Sequence, residues 1–235
     1  MLRAVFVFPL LAAAIALAFA VALARQFVQR RRTYQAFWAI ALAMYAVASA
    51  VVALGALDGW TSGEFRLYWA LGAVLNVPFL AQGEIDLLVR HRGVRWACYA
   101  LLAFVTAYTI ARVRTAPLAN PDALLEDLPS GKDVFGDGSA AHRLPQLVSI
   151  PAYLVLVGGA VWSAWRMRGR RELRDRFVGT LGIALGATVI AGLGSAFAAL
   201  GHLWPFAVSL LVGIAVMYLG FRRASRPARE PAAVV

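Results

Sequence analysis

Residues 4–24 read AVFVFPLLAAAIALAFAVALA, and residues 25–32 directly after them read RQFVQRRR. The hydrocarbon core of a bilayer is about 30 Å thick, so a helix of about 20 apolar residues crosses it. The first stretch has this length, which exceeds the apolar core of a usual signal peptide. The two stretches together predict a retained membrane-spanning helix that ends in positively charged interfacial residues.

Six more apolar stretches of similar length follow along the chain. Of the 235 residues, 61% are hydrophobic and only 15% are charged, which is not the composition of a soluble globular protein. We therefore predict an all-α, polytopic bundle of seven transmembrane helices in a domain over residues 1–221, followed by a basic tail over 222–235. The predicted spans are 4–24, 34–56, 67–89, 94–112, 146–165, 177–200 and 203–221.

Arginine is distributed unequally between the two sets of connecting segments. The segments after the first, third, fifth and seventh spans hold 17 of the 23 basic residues. Positive charge near helix ends stays cytoplasmic, so we expect the N-terminus outside and the C-terminus inside a bacterial cytoplasmic membrane. The net charge of +11 lies mainly on this inner side, where it predicts contact with anionic lipids and not with nucleic acid. Ordinary topology determinants explain most of the same charge.

One long connection, residues 113–145, falls on the predicted outer side. It is rich in proline and acidic residues but lacks calcium-loop spacing. Loops of this length are usually functional or disordered, so a solvated linker and a ligand-binding lid are both open. The aromatic residues next to the neighbouring spans, Trp60, Tyr68 and Trp69, predict part of an outer interfacial belt.

Glycines in the sixth span form a stripe of small residues. Gly182 and Gly186 are four positions apart, and Gly194 falls on the same face two turns later. Such spacing allows helix backbones to approach closely, either inside the bundle or across a homodimer.

The segment ending at Gly201 also resembles the one ending at Gly55, which suggests a repeat of helices one to three in helices five to seven.

The third span is the only one with acidic side chains inside it. A carboxylate at this depth is costly unless it is paired, protonated or facing water, so Glu84 predicts either a functional site or a pairing with an inner arginine. Asp86 shares a helix face with Gln82 and Arg90, which predicts an Asp86–Arg90 ion pair. Pro78 predicts a kink that frees a backbone carbonyl. The candidate ligand-binding or coupling residues are Asn76, Gln82, Glu84 and Asp86.

Several absences argue against enzymatic chemistry. The only lysine, Lys132, lies in the long connection, so no span offers an amine for a retinal Schiff base. His91 is predicted inside while His142 and His202 are predicted outside, so three histidines cannot share a zinc ion. No serine stands in a nucleophile motif. We therefore expect no enzyme activity, no cofactor and no metal site.

Short motifs resemble those of uncharacterised seven-helix integral membrane proteins of actinobacterial type. They are Gly59-Trp60-Thr61, Tyr68 to Ala73, Gly158-Gly159-Ala160, Ser163 to Arg166, and Gly213 to Phe221. The resemblance implies the same seven-helix architecture and no established activity, and the acids of Glu84-Ile85-Asp86 depart from it. The sequence thus favours a non-enzymatic transporter or binder of a small solute or lipid-like ligand. The alternative is a sensory or scaffolding subunit that contacts a cytoplasmic partner through its arginine-rich loops.

Overall fold

The computed structural model describes residues 5–169 and 173–225. Within them the chain forms helices, turns and loops, and seven helices are long and apolar enough to cross a membrane, which confirms the predicted all-α bundle of seven spans. Arg3, the residues 170–172 and the tail beyond Ser225 lie outside the described residues. The helices are α1 Val7–Arg30, α2 Thr33–Asp58, α3 Ser62–Leu88, α4 Arg92–Thr115, α5 Ala140–Met167, α6 Arg174–Ala199 and α7 Leu203–Ala224.

Six of the helices pack in a closed order. Helix α1 contacts α2 and α7, α2 contacts α3, α3 contacts α5, α5 contacts α6, and α6 contacts α7. Helix α4 packs mainly on the outside of α3. Only 11% of its apolar 18-residue stretch is buried inside the protein, against 56% of the corresponding stretch of α2. Helix α4 is therefore a peripheral helix, and the core lies between the others.

The core is apolar and lies mainly among α1, α2, α3 and α7. One buried polar bond crosses it: the Tyr45 hydroxyl on α2 donates to the Leu210 carbonyl on α7, at 2.9 Å. A buried phenol needs such a partner because it has left water behind. Fully or nearly fully buried side chains of this core include Phe19, Leu42, Phe65, Phe206 and Ile214.

The glycine stripe of α6 packs against α7. A Cβ at Gly186 would lie 2.5 Å from the Gly213 carbonyl oxygen, and one at Gly179 would lie 2.5 Å from that of Gly220. A Cβ at Gly194 would lie 3.2 Å from the Ser209 hydroxyl. Close backbone approach within the bundle is thus the use of this stripe, and a dimer seam cannot use the same face.

The two helix triplets, α1–α3 and α5–α7, each pack in chain order. Short connections favour this order without any repeat. The two matching segments also differ in structure: Ser49 is buried in a continuous helix, whereas Ser195 is exposed and follows a π-helical turn, Val189–Gly194. The internal repeat therefore stays a prediction.

Residues 116–139, here called the α4–α5 segment, fold onto the end of the bundle that carries few arginines. The segment contains the 3₁₀ helix Pro121–Leu125 and the short helix Gly131–Phe135. Its residues Leu128, Val134 and Phe135 are buried in the core cluster. The expectation of a solvated linker is therefore wrong, because the segment supplies apolar side chains that pack against α3.

The predicted outer aromatic belt is also wrong for Trp60, Tyr68 and Trp69. Trp60 and Tyr68 are buried. The indole N–H of Trp60 donates to the Asp127 carbonyl at 3.1 Å, and that of Trp69 donates to the Ala141 carbonyl at 2.8 Å. These tryptophans hold the α4–α5 segment and helix α5 in place instead of meeting lipid headgroups. At the arginine-rich end, by contrast, Trp96, Trp162 and Trp165 are exposed.

Candidate functional site

Helix α3 is interrupted in its middle, where it meets α5. Its residues Trp69–Leu75 form a π-helical segment, and Pro78 lacks the N–H that would bond the Val74 carbonyl. The Ser149 hydroxyl of α5 lies 3.0 Å from that carbonyl and 2.9 Å from the Ala73 carbonyl, so its one proton serves both. The sequence predicts the carbonyl freed by Pro78, but it does not predict that Ser149, on a π-helical turn of α5, is the hydrogen-bond donor to it.

Asn76 lies between the π-helical segment and Pro78. Its side chain is buried, and among the described residues its Oδ1 atom has no hydrogen-bond partner. A buried amide oxygen without a donor costs on the order of 1–3 kcal/mol. Asn76 is therefore a polar group that the protein itself leaves unsatisfied.

Glu84 lies two turns further along α3 and is 5% exposed. In residues 5–169 and 173–225, no hydrogen bond or salt bridge joins its carboxylate to another residue. A Cβ on Gly159 of α5 would lie 2.5 Å from the Glu84 Cγ and 2.8 Å from its Oε1. The side chain thus fills the space that Gly159 leaves open, and the expected pairing with an inner arginine does not occur among these residues.

Asp86 belongs to a separate, fully paired group of side chains, here called the Asp86 cluster. Gln82 donates to its Oδ1 at 3.1 Å, the Tyr99 hydroxyl lies 2.8 and 2.9 Å from its two oxygens, and Arg95 forms a salt bridge at 3.3 Å. Arg95 also donates to Thr33 at the start of α2, at 3.0 Å. The Asp86 cluster therefore joins α2, α3 and α4 at the arginine-rich end.

The predicted Asp86–Arg90 pair is wrong. Helix α3 ends at Leu88, and Val89 has an extended backbone, so Arg90 leaves the four-residue helical register and is exposed. The partner comes from the next helix, where Arg95 and Tyr99 are themselves four residues apart and face α3 together. That spacing was visible in the sequence and is the signal that could have identified the partner.

Successive residues of α3 face three different helices. Gly83 lies against Trp38 of α2, whose indole donates to the Leu80 carbonyl at 3.0 Å. Glu84 faces Gly159 of α5, and Asp86 faces Arg95 of α4. Residues on a helix are rotated by about 100° each, so neighbours in sequence serve different contacts. The structure thus brings Gln82 and Asp86 together and separates both from Glu84.

The described residues offer no evident metal centre. Nowhere in 5–169 or 173–225 do three or more His, Cys, Asp or Glu side chains come together in a way that could hold a metal ion. The Asp86 carboxylate is already bonded to Arg95 and Tyr99. The chemistry that the site offers is binding by hydrogen-bond acceptors.

Gly159→Ala tests the contact that positions Glu84. The added methyl group would lie 2.5 Å from the Glu84 Cγ and 3.0 Å from Leu88 Cδ1, so we expect Glu84 to be displaced and the protein to be destabilised by about 1–3 kcal/mol. Gly158→Ala is the matched control, since nothing lies within 4 Å of its Cβ position. Thermal melts of both variants in detergent measure the difference, and equal melting temperatures would contradict this packing.

Comparison with known proteins adds no family to this picture. No protein-family model, curated protein or solved structure matches the chain. The resemblance to uncharacterised actinobacterial-type membrane proteins therefore stays a prediction, and function has to be argued from the site itself.

Proposed function

We propose that this protein binds or transports a small solute or lipid-like ligand, without enzymatic chemistry, at the contact between α3 and α5. The observation that carries the proposal is the Glu84 carboxylate, which is buried beside Gly159 without a described partner. A charged group in a membrane interior is expensive and is usually retained for a substrate, an ion or a proton. A ligand that satisfies Glu84 would offset that cost.

The interruptions of α3 and α5 support the same proposal. Single π-helical turns inside α-helices are rare and are frequent at functional sites. Here two such turns, Trp69–Leu75 and Pro145–Ser149, meet through Ser149. The irregular turns of both helices thus lie at the α3–α5 contact, where we propose the ligand binds.

Glu84→Gln separates a functional from a structural role for this residue. Volume and hydrogen-bonding capacity are nearly kept, and no described arginine loses a partner, so we expect the melting temperature to stay the same or rise. Three ligand probes are compared, namely n-octylamine, N-octylacetamide and octanoate. We expect any probe that stabilises the wild type to lose that stabilising effect in the variant. Asp175→Asn, which removes a partly exposed carboxylate of α6 that pairs with Arg223, is the control. A lower melting temperature with unchanged probe binding would refute the proposal.

We further propose that the arginine-rich end faces the cytoplasm of a bacterium and contacts anionic lipids there. Arg30, Arg31 and Arg32 are exposed at this end, and the positive-inside rule gives the direction. A reporter that is active only in the cytoplasm should be active when fused after Ala228 and silent when inserted at Gly136. The opposite pair of results would reverse the proposed threading.

A further inference from the structure

The groups left unsatisfied near the α3–α5 contact are hydrogen-bond acceptors. They are the Asn76 Oδ1 atom, which is buried without a partner, and the Glu84 carboxylate, which has no hydrogen bond or salt bridge to another described residue. Arg95 is not free to pair with them, because it is bonded to Asp86, Thr33 and Tyr99. A site that offers acceptors and a negative charge is complementary to a ligand that offers N–H donors and a positive charge. An anionic ligand would meet repulsion at Glu84 instead.

The site lies close to the lipid-facing surface. Leu88, one turn after Glu84, touches the same Gly159 position and is 38% exposed. Helix α4 meets α5 at Ala140–Leu144, near the end with few arginines, and no comparable contact joins α4 to Ile150–Met167 in the described part of the chain. Both helices present exposed apolar side chains, for example Phe104 on α4 and Leu154 on α5. One side chain, Leu88, thus separates Glu84 from the surface of the bundle.

The depth of Glu84 suits the charged group of an amphiphile. It lies four residues before the end of α3, which is roughly 6 Å along the helix axis. Amphipathic molecules place their polar groups near the headgroup boundary, with apolar parts some 5–10 Å into the acyl region. The exposed arginines at this end, Arg90 among them, would by contrast repel a small cation that approaches from water.

We propose that the ligand is a lipophilic primary amine, which enters sideways from the bilayer between α4 and α5 and places its ammonium group on Glu84. This inference rests on the proposed function and adds the chemical class and the route. The ammonium group supplies the missing positive charge and N–H donors, and the alkyl chain replaces lipid against the exposed faces of α4 and α5. No covalent step is involved.

The test compares four probes on the full chain in nanodiscs of phosphatidylcholine, a lipid without net charge. The probes are n-octylamine, the uncharged N-octylacetamide, the anionic octanoate and methylammonium, which has the charge but no chain. We expect n-octylamine to raise the melting temperature of the wild type and to bind about tenfold or more weakly to Glu84→Gln. Asp175→Asn should bind n-octylamine as the wild type does.

Other outcomes overturn the inference in distinguishable ways. If N-octylacetamide or octanoate binds in a Glu84-dependent manner and n-octylamine does not, the site exists but its ligand is not an amine. If methylammonium binds as tightly as n-octylamine, the alkyl chain and the lateral route are wrong. If no probe distinguishes the wild type from Glu84→Gln, both this inference and the proposed function fail.

Discussion

Gly186→Ala is expected to destabilise the bundle strongly, because the added methyl group has no room between α6 and α7. The added Cβ would lie 2.5 Å from the Gly213 carbonyl oxygen and 2.7 Å from the Met217 backbone nitrogen. Both are backbone atoms, so the clash cannot be relieved by turning a side chain, and α6 must move away from α7. Overpacking of this kind costs about 1–3 kcal/mol, and we expect the upper part of that range.

The same helix contains its own control for this effect. Gly192 also lies on α6, and nothing comes within 4 Å of its Cβ position. Alanine has the higher helix propensity, so Gly192→Ala should leave the melting temperature unchanged or raise it slightly. Thermal melts of the two variants in the same detergent provide the comparison. If both variants melt like the wild type, the α6–α7 contact is not as close as the structure has it.

Asp86→Ala is expected to have the largest effect among polar substitutions. The Asp86 carboxylate is fully buried and accepts bonds from Gln82, Arg95 and Tyr99, so its removal leaves three donors without their acceptor. Breaking a buried ion pair costs about 3–5 kcal/mol, and because Arg95 is partly exposed to solvent we expect about 3 kcal/mol here. Chemical denaturation in mixed micelles measures this loss.

The exposed ion pair between Arg223 and Asp175 is the matched control. Its N–O distance of 3.1 Å is shorter than the 3.3 Å of Arg95–Asp86, yet its side chains are 46% and 32% exposed, whereas the Asp86 side chain is fully buried. Exposed pairs contribute about 0–1 kcal/mol, so Asp175→Ala should be nearly silent. Hydrogen exchange should also rise in α4 only for Asp86→Ala. Equal losses of unfolding free energy in Asp86→Ala and Asp175→Ala would show that burial does not determine how much the Asp86 cluster contributes to stability.

The membrane-spanning architecture could be predicted because it depends on local properties of the chain. A run such as residues 4–24 must be helical in a bilayer whatever its neighbours are, since its backbone groups have no other partners there. The glycine stripe could also be predicted, because it too depends on a local property of the chain. The helical period alone places Gly182 and Gly186 on one face of the helix. It does not identify the helix that this face contacts.

The contacts of the candidate site depend on more distant residues and were predicted only in part. The depth of Glu84 followed from its position in the third span, but Gly159 comes from another helix 75 positions later. The partner of Asp86 was missed because the exact end of α3 decides whether Arg90 stays in register. The fold of the α4–α5 segment was missed because Trp60 and Asp127 are joined across 67 residues.

The peripheral position of α4 has a consequence for how the chain is directed across the membrane. Three consecutive helices start on one side of the bundle and end on the other. The triplet α5–α7 can therefore run in the same direction as the triplet α1–α3 only if one more helix returns the chain to the starting side between them. Helix α4 supplies that crossing although little of it is buried. Polar bonds at its two ends, from Arg66 to the Val113 and Ala116 carbonyls and from Arg95 to Asp86, secure a helix that apolar packing alone would hold weakly. Its main contribution is thus to set the polarity of the second half of the chain.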